Sequence, residues 1–184
     1  CMCLYDILSD FKVWQLALVL GVFCAVTKIV FVFVFNNNAD FHPDMAMYRS
    51  YASQFAESGY ITENVPYARR FSYTMIYGLV MSPFAKLFGN DTKVFTTALS
   101  LMHSVAMVLI FDIVRKYTGK EIAFSCILLY NLLPMGLFQT QLFTHENALL
   151  FFHIVGFYIF LKAFEKKYNI AIQLLFIVLS AIFI

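Results

Sequence analysis

A polar segment at residues 41–52 carries the side chain best suited to chemistry in this chain, because it follows directly on a long apolar run. Asp44 follows Pro43 and opens a predicted helix. Its carboxylate can cap that helix by accepting backbone N–H groups. It can also act as a general base if it lies beside an acceptor hydroxyl, and the helix dipole favours its ionised form. The sequence leaves both roles open for Asp44, with Asp40 as a second candidate acid.

A second polar group, Thr144 to Asn147, opens another apolar run. Thr144 or Asn147 can cap the helix there, with Glu146 compensating the dipole from its first turn. Glu146 also lies close to the predicted lipid boundary, where a charge is costly unless it is paired. The alternative roles for Glu146 are therefore to orient a sugar, to pair with a base or to bind a divalent metal.

A metal site would draw on His42, Asp44, His145 and Glu146, but their spacing matches no established ligand motif. The sequence thus requires no cofactor and leaves a divalent metal open.

Cations stand at the ends of several apolar segments. Arg69, Arg70 and Lys93 can anchor those segments to lipid headgroups, or they can hold a lipid phosphate, for which arginine offers a two-pronged donor. Lys28 lies inside the first apolar run. It either extends its ammonium to the membrane surface or faces a polar cavity within the protein.

The composition indicates an integral membrane protein. Of 184 residues, 61% are hydrophobic and only 13% are charged, against roughly 25% charged in soluble domains. The mean hydropathy is +0.76. The net charge of +2 gives no indication of a nucleic-acid partner, and the four cysteines have neither zinc nor disulfide spacing.

The apolar runs predict an all-α, polytopic transmembrane bundle, since each bilayer crossing needs about 20 apolar residues. We expect spans at about 13–35, 94–114, 122–138, 148–164 and 170–184. Two further helices, at about 44–58 and 71–88, are expected to lie in the membrane interface.

Loop charges orient these spans. The basic clusters at 115–120 and 162–167 are separated by two spans, so they share one side, which the positive-inside rule assigns to the cytoplasm. Residues 139–147 and the turn at Asn90 then lie outside. If residues 71–88 do not cross, as their polar content and Pro83 favour, residues 36–70 are outside as well. The pair Arg69–Arg70 argues against this assignment, because it places two basic residues outside. The assignment nevertheless brings the candidate residues to one outer face.

The order of these motifs resembles a known family. It comprises Asp44-x-x-x-Tyr48, Leu87-Phe88-Gly89, Lys93 at the start of a span, Pro134 within a span, and Thr144-His145-Glu146-Asn147. The pattern is similar to that of the polyprenyl-phosphate-dependent GT-C glycosyltransferases, notably the protein O-mannosyltransferases and the aminoarabinose transferases of lipid A. The resemblance implies that residues 1–184 form the N-terminal transmembrane module of a longer enzyme.

The resemblance also implies a reaction and its partners. A sugar would pass, with inversion, from a polyprenyl-phosphate carrier to an unidentified acceptor. The active site would lie on the extracytoplasmic face, which we expect to be that of a bacterial plasma membrane. Membrane lipid is the other expected partner.

The resemblance assigns roles to individual residues as well. Asp44 would be the base and Glu146 would support the sugar or the acceptor. Lys93, with Arg69 or Arg70, would hold the lipid phosphate. The remaining substrate-binding candidates are Tyr48 and His145. The chain departs from the O-mannosyltransferase pattern in having Met45 after Asp44, Lys93 in place of arginine, and His145 inside the Thr-Glu-Asn motif.

Two functions of other classes remain alternatives: a transporter or flippase for a lipid-linked glycan, and a non-catalytic membrane subunit. A transporter predicts paired polar residues at mid-membrane on broken helices. The sequence has few polar residues there and many at the predicted outer interface.

Overall fold

The computed structural model describes residues 7–35, 43–62, 65–142, 144–165 and 168–183, and the regular structure in these ranges is helical throughout. The helices in chain order are α1 (Val13–Phe35), α2 (Pro43–Ser58), α3 (Val65–Arg70), α4 (Ser72–Phe88), α5 (Thr92–Thr118), α6 (Lys120–Leu132), α7 (Pro134–Phe138), a 3-10 turn (Gln139–Gln141), α8 (His145–Ala163) and α9 (Ile170–Phe183).

Three of these helices, α1, α5 and α8, are long and apolar enough to cross a bilayer. Helix α6 together with the segment Pro134–Gln141 makes a fourth crossing if the pair is counted as one broken span. The predicted all-α polytopic fold is therefore confirmed. Helices α4 and α9 are shorter, with 17 and 14 residues.

Pro134 divides the predicted span at 122–138 into two helices. Leu133 has the extended backbone angles φ −63° and ψ 139°. The residue before a proline is driven away from helical angles by the proline ring, and Pro134 itself has no N–H to continue the hydrogen-bond ladder. Helix α6 therefore ends at Leu132 and α7 begins at Pro134.

The chain divides into two compact units. The first comprises Cys1–Ala25, Met102–Leu133 and Leu149–Ile184. Its core is a cluster of buried apolar side chains from α1, α5 and α6, which includes Leu16, Leu20, Met107, Phe111, Phe124 and Ile127. Phe151 and Ile154 of α8 are partly buried and pack against this cluster. Apolar side chains from four helices therefore hold this unit together.

The second unit comprises Val26–Leu101 and Pro134–Ala148. Within it, Met45, Tyr48, Tyr51 and Ala52 form a buried stripe on α2, at the spacing that one helix face requires. A Cβ at Gly78 of α4 would lie 2.8 Å from the Cβ of Tyr51, so glycine is what lets the two helices approach this closely. The apolar face of α2 is thus covered by protein. The interfacial placement of α2 and α4 stays a prediction.

Candidate active site

Helix α2 positions Asp44 in its first turn, where the side chain is half-buried. Tyr48 lies one turn later and is 2% exposed. Its ring meets that of Tyr77 of α4 edge to face, with 5.2 Å between the ring centroids. Tyr48 therefore packs between the two helices in this structure, and its contact with substrate stays a prediction.

Glu146 lies in the electrostatic surroundings of this tyrosine pair. Burial raises the pKa of the Tyr77 hydroxyl well above its ordinary value, and interactions with Tyr48 and Glu146 raise it further. Tyr77 is consequently a neutral phenol at physiological pH. Glu146 itself is exposed in the first turn of α8. Glu146 therefore acts electrostatically on Tyr77 of α4, and its proximity to Asp44 stays a prediction.

Asn147 holds the segment that precedes Glu146 in the chain. Its side-chain amide is buried and donates hydrogen bonds to the carbonyls of Gln139 at 3.0 Å and Leu142 at 2.8 Å. Helix α8 begins at His145, two residues before Asn147, so the alternative that Asn147 caps this helix is wrong. Its actual role is to hold the 3-10 turn against the start of α8.

Lys28 of α1 holds the same segment, residues 134–142, by a further hydrogen bond. Its side chain is 1% exposed, and Nζ donates a hydrogen bond to the carbonyl of Gly136 at 2.7 Å. The interpretation that Lys28 extends to the membrane surface is therefore wrong, because its ammonium lies inside the protein. The physical reason is that a helix as short as α7 has carbonyls without intrahelical partners, and an ammonium can satisfy one of them.

Replacing Lys28 by methionine tests this anchoring role. Methionine keeps an unbranched stem but removes the donor, and a hydrogen bond to a charged group contributes about 1.5–3 kcal/mol. We expect amide hydrogen exchange in residues 134–142 to become about ten to a hundred times faster. Lys86→Met is the matched control, since Lys86 is exposed in the last turn of α4. Exchange in 134–142 that is unchanged by Lys28→Met would contradict the anchoring role.

An apolar cavity of about 420 Å³ adjoins the start of α5. Phe33 of α1 and Phe84 and Phe88 of α4 form its aromatic wall, and Lys93 and Thr97 of α5 also line it. The Lys93 ammonium lies 5.8 Å from the ring centroid of Phe33. The Thr97 hydroxyl, one turn further along α5, is shielded from solvent and makes no hydrogen bond to another described residue. Asp91, in the turn before α5, lines the cavity as well, so its apolar walls are combined with one cation, one hydroxyl and one carboxylate.

Arg49, which is not among the predicted site residues, connects the acid-bearing helix to this cavity. Its Nη1 donates a hydrogen bond to the carbonyl of Asn90 at 2.9 Å, in the turn between α4 and α5. The position of Lys93 at the start of α5 is thereby coupled to α2. The available signal was a cation five residues after Asp44, on a helix already predicted to carry the acid.

Two other predicted phosphate ligands lie away from this cavity. Arg69 and Arg70 are exposed at the end of α3, where the Arg70 guanidinium lies 5.5 Å from the centroid of the Phe71 ring. Neither arginine lines the cavity of Lys93. Asp40, His42 and the His145 side chain lie outside the described residues.

A metal site receives no support from the part of the chain that the structure describes. Within it, no group of three or more histidine, cysteine, aspartate or glutamate side chains is placed to hold a metal ion.

The family model for dolichyl-phosphate-mannose-protein mannosyltransferases matches residues 73–183, which is more than half of the chain. The chain belongs to this family. The GT-C resemblance inferred from the motifs is therefore confirmed, and so is the assignment to membrane glycosyltransferases of this type. No curated protein and no solved structure gives a match.

The match of the mannosyltransferase family model covers only part of the candidate site. Lys93, Pro134 and Glu146 fall within it. Asp44 and Arg49 precede it. The role of Asp44 as a base stays a prediction.

Proposed function

We propose that this protein transfers a sugar from a polyprenyl-phosphate carrier to an acceptor on the extracytoplasmic side of the membrane. The observation that carries the proposal is the apolar cavity beside Lys93, whose lining residues except Phe33 fall inside the region matched by the family model. A polyprenyl phosphate has a long apolar chain and one anionic end. This cavity offers apolar walls and, at its polar end, the ammonium of Lys93 and the hydroxyl of Thr97 beside the carboxylate of Asp91.

The donor side of the reaction follows from that cavity. Phe33, Phe84 and Phe88 provide the surface for the isoprenoid chain. Lys93 pairs with the phosphate, and the Thr97 hydroxyl is a further donor for it. The lipid phosphate leaves as a stable anion, so holding and neutralising it supplies a large part of the catalysis.

The acceptor side rests on two carboxylates. Asp44 takes the proton from the acceptor hydroxyl or amine as that group attacks the anomeric carbon. Glu146 accepts hydrogen bonds from the sugar or from the acceptor. Fixed positions for both groups reduce the entropic cost of bringing donor and acceptor together. The anchors at Lys28, Arg49 and Asn147 provide such fixation.

One observation favours the transporter alternative. The span around Pro134 is broken, and Lys28 is buried beside the break, which is an arrangement that transporters use. Here, however, the ammonium is bonded to the backbone of the broken segment, and the family is one of transferases. We therefore favour sugar transfer.

The test separates these two functions with one labelled donor. Membranes that contain the full protein are incubated with polyprenyl-phosphate mannose carrying label in both sugar and lipid. Transfer predicts that free polyprenyl phosphate forms while the sugar label moves to a membrane acceptor. A donor that stays intact but moves between leaflets would overturn the proposal and support transport.

A further inference from the structure

A second cavity, of about 450 Å³, lies in the first unit among α1, α5 and α8. Its apolar wall is formed largely by Val13 and Ala17 of α1 and by Val108 and Leu109 of α5. Asp112, Arg115 and Tyr158 line its polar part. None of these residues lines the cavity of Lys93, so the polyprenyl-phosphate site proposed above does not account for this second cavity.

The polar part is a preorganised cluster. Asp112 accepts hydrogen bonds from Arg115 Nε at 2.8 Å and from the Tyr158 hydroxyl at 2.9 Å, and it pairs with Lys162 at 3.4 Å. These partners satisfy Asp112 and orient the guanidinium of Arg115. Arginine has five N–H donors, so the bonds to Asp112 leave others to bind a second anion.

The charge of the cluster favours an anion. Glu165 pairs with Lys116 at 3.0 Å and with Lys162 at 2.8 Å. The connected group therefore holds three cations, Arg115, Lys116 and Lys162, against the carboxylates of Asp112 and Glu165. One positive charge remains in excess beside the cavity.

The residues that line the cavity are of the types found at the level of the lipid headgroups. Trp14 lines the cavity and is 61% exposed near the start of α1. Tryptophan at the end of a membrane helix prefers the headgroup region, and basic residues at that level attract anionic lipids. An interfacial tryptophan, an available guanidinium and an apolar wall together match the parts of a phospholipid.

We propose that this cavity binds an anionic phospholipid, with Arg115 on its phosphate and one acyl chain along Val13, Ala17 and Val108. A soluble phosphate would leave the apolar wall uncovered, so the occupant is a membrane lipid. The site is separate from the proposed transferase chemistry and does not depend on it.

Native mass spectrometry of the full protein with added phosphatidylglycerol or phosphatidylcholine tests the site. We expect retention of phosphatidylglycerol in preference to phosphatidylcholine, and about tenfold weaker retention in Arg115→Gln, because a charge-assisted bond is lost. Lys86→Gln is the matched control: it removes the same charge, but Lys86 is exposed on α4 and belongs neither to the charged cluster nor to the cavity lining. Equal losses in the two variants would overturn the proposal, since general charge attraction would then explain the binding.

Ala17→Leu is a second, independent test in case Arg115→Gln does not fold. Its larger side chain occupies space at the apolar wall, and every charge stays in place. We expect it also to weaken phosphatidylglycerol retention, and unchanged retention would overturn the proposed acyl-chain position. Displacement of the lipid by inorganic phosphate at equal concentration would identify a site for free anions instead. Retention of polyprenyl phosphate that depends on Arg115 would likewise overturn the assignment, in favour of a donor site.

Discussion

Replacing Asp44 by asparagine is expected to lower the rate of sugar transfer about a thousandfold, since general base catalysis contributes roughly 10²–10⁴. Asparagine matches aspartate in shape, and its side-chain oxygen can still accept a hydrogen bond from a backbone N–H of the first turn. The substitution therefore removes the basicity of Asp44 while it keeps any contribution to the start of α2. The measurement is the initial rate of polyprenyl-phosphate release, with thermal stability recorded alongside.

Glu57→Gln is the matched control for Asp44→Asn. Glu57 lies on the same helix, is exposed, and loses its negative charge by the same type of change. We expect its transfer rate to stay at the wild-type level. If Asp44→Asn also transfers at that level, Asp44 contributes only to the first turn of α2 and the base must be sought elsewhere.

Replacing Lys93 by glutamine is expected to raise the KM for the lipid-linked donor about ten- to hundredfold. The reason is that a hydrogen bond to a charged group is worth about 1.5–3 kcal/mol. Lys93→Arg should restore most of the affinity, because it keeps a cation at the start of α5. The measurement is a series of initial rates over donor concentration, which separates KM from kcat.

Lys86→Gln is the control for Lys93→Gln, since Lys86 is exposed and does not line the cavity. A fall in kcat with constant KM would move the role of Lys93 from donor binding to the charge that develops on the leaving phosphate. If Lys93→Gln leaves both KM and kcat unchanged, Lys93 does not belong to the donor site.

The membrane helices could be predicted from the sequence because their signal is local. Helices α1, α5 and α8 are continuous apolar runs, and each begins or ends within a few residues of the predicted span. The break before Pro134 was also open to prediction, since the proline effect on its neighbour is local.

The contacts that fix the candidate site could not be predicted, because they join residues far apart in the chain. Lys28 and Gly136 are separated by 108 positions, and Arg49 and Asn90 by 41. Nothing near Lys28 in the sequence distinguishes a buried cation from one at the surface. Asn147 looked like a cap for the same reason, since its acceptors at Gln139 and Leu142 become visible only when the preceding turn is folded.

The bond between Lys28 and Gly136 has a consequence for biogenesis. A lysine inside lipid and an unpaired carbonyl inside lipid are each unfavourable alone, and each becomes tolerable through the other. The ribosome adds about 5–20 residues per second, so Gly136 follows Lys28 by a time on the order of ten seconds. During that interval we expect the insertion machinery to retain α1 at its lateral gate. Release of α1 into lipid before residue 136 is synthesised, detected by site-specific crosslinking of arrested chains, would contradict this order of assembly.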